Sequence, residues 1–199
     1  MTAIQRTITQ SADDAQQTAG TVTIDGSALN ANSDTGWLGV RFQNLTIPRY
    51  STINTATLKF YFTSGSFDDP KVYMWGELAA NAAAFAASSN NISGRTPTSV
   101  SVTWNQSNLG TGVKTSPSIV SLLQEIVNQA TWTSGNSAVF LIRGIDSASL
   151  MRVRGYDAGG GDYATLDADY TEPSGLTLPV AQYHYRRNQR AASGIFVPA

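Results

Sequence analysis

Residues 115–144 read TSPSIVSLLQEIVNQATWTSGNSAVFLIRG, and this stretch decides the fold. Ser116 followed by Pro117 is a helix-start signal: a hydroxyl can accept from an orphan backbone N–H, and proline at the first helical position loses no hydrogen bond. Ile119, Leu122, Leu123, Ile126 and Val127 then recur at the three- and four-residue spacing of one apolar helix stripe. Gln124, Glu125 and Asn128 fall on the wet side, and the helix is expected to stop near Ala130. Thr133-Ser134-Gly135-Asn136 is turn chemistry. Ser137 to Arg143 follows as a buried strand, with Val139, Phe140, Leu141 and Ile142 unbroken. No other segment gives so clear a helix signal. The expectation is one helix strapped across a domain built otherwise from strands.

The flanking sequence agrees with that expectation. Residues 4–9, 20–24, 36–42, 52–63, 71–78, 98–104, 149–156 and 163–170 alternate apolar with polar, as half-buried strands do. The longest is TINTATLKFYFT, with Ala56, Leu58, Phe60 and Phe62 on one face and Thr57, Lys59 and Tyr61 on the other. Ser11 to Gln17, Ala28 to Thr35 and Asn105 to Lys114 read as polar connections, and Asp157 to Asp162 as a glycine-rich hairpin loop. AANAAAFAA at 79–87 suits either a helix or a small-residue loop packed under the sheet. Many short strands with turns between them predict an all-β fold, an antiparallel β-sandwich of jelly-roll type with one strapping α-helix.

Composition narrows the function. Of 199 residues, 41% are hydrophobic and only 14% charged, and the net charge is −1, which argues against bulk electrostatic binding to nucleic acid or to anionic lipid. The chain has no cysteine, so disulfides and thiolate metal sites are excluded. No apolar run approaches a membrane span, and MTAIQRTITQ has neither a basic nor an apolar signal region. Synthesis in a cytoplasm without a secretory signal is therefore expected.

At Glu172 the character changes. Residues 1–171 hold ten Lys/Arg and thirteen Asp/Glu, whereas residues 172–199 hold three Arg and one Glu, with three prolines. The first segment is expected to be the sandwich domain and the second an extended C-terminal docking arm. Tyr183, His184, Tyr185, Arg186, Arg187, Arg190, Ile195, Phe196 and Val197 are its assembly candidates, because apolar surface of this size favours burial against a partner.

No catalytic set emerges. His184, the only histidine, sits between two tyrosines in the tail with no nucleophile motif around it. Carboxylate pairs at Asp13-Asp14, Asp68-Asp69, Asp157 with Asp162 and Asp167 with Asp169 read better as solvated loop or strand positions than as a glycosidase pair. Asp157 and Asp162, with carbonyls between them, are weak candidates for structural calcium, and no other cofactor is expected. Tyr61, Tyr73 and Trp75 are the best candidates for a flat aromatic platform that would stack on a sugar ring.

Taken in order, SADDAQQ, LGVRFQNLTIP, STINTATLKFYF, GELAANAAAFAASSNNISGR, SVSVTWN, the helix-to-strand stretch and RGYD resemble a jelly-roll module of bacterial and phage surface proteins, of the DNRLRE or carbohydrate-binding-module kind. The likeness covers roughly residues 4–171. It implies a sandwich that sits beside adhesive, catalytic or structural domains, and it supplies no catalytic residues. Gln16 and Gln17 stand where many relatives look acidic, which speaks against a metal site at Asp13-Asp14. A sandwich of this kind without a secretory signal, and with a basic aromatic arm, leads to the expectation of a non-enzymatic phage virion protein. It would decorate the capsid or form part of a tail or fibre, with itself and the major capsid or tail proteins as partners. The alternative is a carbohydrate-binding module for cell-surface glycans.

Overall fold

The structure, a computed structural model, describes residues 1–63 and 68–173. Its strands are β1 (Thr2–Thr7), β2 (Asp14–Thr18), β3 (Thr21–Thr23), β4 (Ala28–Asn30), β5 (Gly36–Leu45), β6 (Thr52–Phe62), β7 (Asp68–Asp69), β8 (Lys71–Gly76), β9 (Val102–Asn105), β10 (Gly112–Thr115), β11 (Asn136–Gly144), β12 (Leu150–Arg154) and β13 (Thr165–Thr171). One helix, α1 (Val120–Val127), lies between β10 and β11. The strands form two antiparallel sheets. One has the order β1-β13-β6-β12-β4, with β10 also on β6 and β7 on β12; the other runs β3-β2-β5-β11-β8-β9. The chain passes repeatedly from one sheet to the other, so strands adjacent in sequence are often not ladder neighbours. Among the described residues the fold is an antiparallel β-sandwich with a single α-helix.

Alternation fills the space between the sheets. Ala56, Leu58, Phe60 and Phe62 from β6 meet Leu38, Val40 and Phe42 from β5, Val72 and Met74 from β8, and Phe140 and Ile142 from β11 in one continuous core. Trp104 is fully buried here, with its ring edge-on to Phe62 at 5.7 Å and its indole N–H given to Gln106 Oε1. Trp132 is buried too, and donates to the carbonyl of Ile47.

The unbroken apolar run of β11 has a simple cause: both of its faces are covered. Ala138, Phe140 and Ile142 point into the sandwich, whereas Val139 and Leu141 join a second cluster on the outside of the sheet, with Ala15, Val22, Ala82, Phe85 and Ile92. The AANAAAFAA segment thus packs over a sheet as a loop and not as a helix. Gly39 makes room for it, since a Cβ at that position would lie 2.3 Å from Phe85 Cζ.

Several sequence expectations are corrected. The helix begins at Val120 with Ile119 as its cap residue, and Ser116 does not cap it. The Ser116 hydroxyl instead accepts from the Leu58 N–H and donates to the Pro117 carbonyl, which continues the pairing of β10 with β6 past its end. The helical stripe is right: Ile119, Leu122, Leu123, Ile126 and Val127 are all fully buried. α1 touches β6 of one sheet and β8 of the other, so it straps the two together. Its wet side is also engaged. Gln124 bonds the Ile53 N–H and the Ser51 carbonyl, and Glu125 accepts from Ser99.

The stretch from Ser11 to Gln17 is not a solvated connection. It forms a 3-10 turn and then β2, with Asp13, Asp14 and Gln17 buried. Likewise Ala28–Asn30 and Gly112–Thr115 are strands, because each pairs along an existing sheet edge despite a polar sequence.

Candidate functional site

Among the described residues, half of the outer face of the second sheet is covered and half is bare. The cover is the chain from about residue 79 to 97. It is held by Gln17, whose carbonyl oxygen accepts from the N–H groups of Ile92 and Ser93 and whose amide donates to Asn90 and Ser93. Arg95 staples it. The guanidinium donates to Glu77 at 2.7 Å, to the carbonyls of Ala83, Ala84 and Asn91 and to the Asn91 side chain, and lies 4.4 Å above the Phe85 ring.

Beside this cover runs a row set by strand register. Gln17 pairs with Trp37, Trp37 with Arg143, Arg143 with Tyr73, and Tyr73 with Thr103. Trp75, two residues along β8, packs against both Tyr73 and Trp37, with ring centroids 5.7 and 6.0 Å away. Arg143 sits among these rings, 5.5 Å from Trp37, 5.7 Å from Trp75 and 6.0 Å from Tyr73. All four residues are half-buried, so their surfaces remain partly open to solvent. Among the described residues Arg143 makes no ion pair and no hydrogen bond, and its Nε is buried without a partner. The bare half is therefore an aromatic shelf with an uncompensated cation in its middle.

This corrects the expected platform. Tyr73 and Trp75 belong to it, but Tyr61 does not. Tyr61 lies on β6 in the other sheet, paired with Val113 of β10, and carries Arg154 over its ring at 4.1 Å. The chain changes sheets between β6 and β8, so their closeness in sequence does not place them side by side. Trp37 and Arg143 complete the shelf and lie outside the trio of Tyr61, Tyr73 and Trp75. A signal for Arg143 existed: it is the polar residue that ends the apolar run of β11, at an outward position.

The acidic candidates are tied up individually. Asp13 is fully buried and accepts from Arg41 at 2.8 Å, from Gln43, and from the backbone and hydroxyl of Thr9. Asp14 accepts from the Tyr156 N–H through one oxygen, whereas its other oxygen is buried without a partner. Burial pushes the Asp14 carboxyl up from 3.8 to about 7; the Tyr156 N–H opposes this and the nearby Asp157 and Asp13 charges add to it. Asp68 and Asp69, expected in a solvated turn, instead accept from the N–H groups of Gly110 and Asn108 and pin the loop before β10. Asp157 accepts from Ser11 and Asp162 faces Arg154 at 3.5 Å, so the two proposed calcium ligands have different partners. Among the described residues no cluster of three His, Asp or Glu side chains forms a metal-binding group. Asp167 pairs with Lys59 and accepts from Gln5, beside a shallow groove of about 440 Å³ between β1, β13 and β6.

The arm candidates Tyr183, His184, Tyr185, Arg186, Arg187, Arg190, Ile195, Phe196 and Val197 lie outside the described residues. No helix among the described residues is long and apolar enough to cross a membrane. No protein-family model matches the chain, and a search of curated proteins finds no significant match.

Proposed function

We propose that this chain is a non-enzymatic structural protein of a phage virion, a sandwich of the DNRLRE-like kind that decorates the capsid or forms part of a tail or fibre. What supports the reading is a contrast within the chain. The sandwich is closed by its own polar groups: Asp13 is spent on Arg41, Glu77 on Arg95 and Asp167 on Lys59. Beyond β13 the sequence turns basic and aromatic, with Tyr183, Tyr185, Arg186, Arg187 and Phe196 in a proline-punctuated segment that suits docking on a second copy or on a capsid or tail protein. The test compares mass in solution and retention on purified phage shells for the full chain and for a chain truncated after Thr171. Oligomerisation or shell binding by the full chain alone supports the reading. Identical monomers that both ignore shells reject it.

A second reading, compatible with the first, is that the sandwich binds cell-surface glycans. It rests on the shelf of Trp37, Tyr73 and Trp75, whose half-open rings suit the apolar face of a pyranose. Retention by immobilised polysaccharides that is lost in Trp75→Ala supports it, and retention unchanged by that substitution removes the shelf from the reading.

A further inference from the structure

We propose that the shelf on β5, β11 and β8 binds an acidic glycan, taking a uronate carboxylate on Arg143 while Trp37, Tyr73 and Trp75 stack on the sugar rings; the inference rests on the glycan-binding reading above. A shelf for neutral sugars needs rings and neutral polar groups. This one places a guanidinium among three aromatic rings at 5.5–6.0 Å, with no carboxylate bonded to it among the described residues.

The contrast with the other arginines of the same sheet face is direct. Arg41 and Arg95 each meet an internal carboxylate at 2.7–2.8 Å. Arg143 has none, although partial burial among rings raises the free-energy cost of leaving its donors unanswered. A planar guanidinium matches a carboxylate with two parallel N–H donors, and the rings around it lower the local dielectric and so strengthen that bond. Lys71 lies two residues before Tyr73 on β8, at a position of the same outward parity, and makes no ion pair among the described residues. It adds a second positive charge at the open end of the shelf. Thr103 and Asn105, paired with Tyr73 and Lys71 from β9, supply hydroxyl and amide groups for sugar hydroxyls.

The experiment is calorimetry of the full chain with oligogalacturonate and with its methyl ester, which keeps the backbone and removes the charge. The acid form is expected to bind and the ester to bind at least about tenfold more weakly, the loss of one charge-assisted hydrogen-bonded pair. Arg143→Gln is expected to weaken the acid form to the level of the ester, and Tyr61→Ala, on the other sheet, to leave it unchanged. Affinity for the acid form is also expected to fall as salt rises. Thermal unfolding of each variant shows whether it is folded, and Arg143→Lys keeps the charge while losing the fork.

Equal binding of acid and ester, with loss in Trp75→Ala, overturns the acidic inference and leaves the glycan reading standing. No binding of polygalacturonate, alginate or hyaluronan overturns the inference. No binding of neutral glycans either overturns the glycan reading with it. Tighter binding of an oligonucleotide than of any uronate, lost in Arg143→Gln, assigns the shelf to a different ligand and also overturns the inference.

Discussion

Two arginines on one sheet face have opposite surroundings. Arg95 and Arg143 both lie against aromatic rings, yet Arg95 donates to five protein oxygens and Arg143 to none among the described residues. Arg95 is therefore part of the machinery that holds residues 79–97 on the sheet. Arg143 contributes nothing comparable to the fold that the structure displays. A fully bonded, nearly buried cation is explained by structure alone. A half-buried cation with idle donors beside open rings is where a ligand is to be sought.

The largest effects should come from the covered half. Phe85 is 3% exposed and fills the space left by the absent side chain of Gly39. Phe85→Ala is expected to destabilise the protein by about 3–4 kcal/mol, the usual cost of emptying an aromatic site. Urea unfolding measures it. A loss below about 1 kcal/mol would mean that the cover is loosely held and that the two halves differ less than the geometry says.

The covered half also depends on β2, and β2 carries a titrating group. Asp14 has an ordinary value of 3.8 and a native value of about 7. Between these the unfolded chain ionises the group while the native protein keeps it protonated. The contribution of Asp14 to stability should therefore be fully present below about pH 4, fall as pH rises to about 7 and be absent above, with a total of about 4 kcal/mol. Asp14→Asn removes this slope and keeps an oxygen that can accept from the Tyr156 N–H. The measurement is the difference in unfolding free energy between wild type and variant from pH 4 to 8. A difference that does not change with pH would show that Asp14 is ionised throughout.

Arg95→Met comes next. The Arg95–Glu77 pair is only 9% and 13% exposed at its side chains, so a broken pair leaves a largely buried carboxylate. The expected loss is about 2–3 kcal/mol, somewhat below the range for fully buried pairs. Double substitution with Glu77→Gln should recover part of it, and a purely additive result would separate the two residues.

What was legible in the sequence divides along the same line. The sandwich and its single helix follow from periodicity, because Leu58, Phe60 and Phe62 on β6 and Leu122, Leu123, Ile126 and Val127 on α1 are buried by rules of spacing that need no knowledge of neighbours. The burial of Asp13, Asp14 and Gln17 was not legible. Their partners Arg41, Tyr156 and Ile92 lie far away in sequence, and three separate tertiary contacts bring them close: β5 beside β2, the turn after β12, and the segment packed over the sheet. The helix start failed for a related reason: Ser116 has the chemistry of a cap, but a nearby strand, through Leu58, competes for its hydroxyl. The shelf was half legible. Alternation gave Tyr73 and Trp75, whereas Trp37 and Arg143 required the strand order β5-β11-β8.

The smallest expected effect is the most telling. Arg143→Gln removes a cation that bonds no protein acceptor among the described residues, so the only native interaction lost is with three half-open rings. Cation–π contacts of this exposure are worth about 0.5–1 kcal/mol, and the substitution also removes an unanswered donor at Nε. The net change in unfolding free energy should therefore stay below about 1 kcal/mol, well under that of Arg95→Met. A loss as large as that of Arg95→Met would make Arg143 a staple like its neighbour, and the asymmetry between the two halves would disappear. A small loss of stability together with a large loss of uronate binding would separate the fold from the function on a single sheet face.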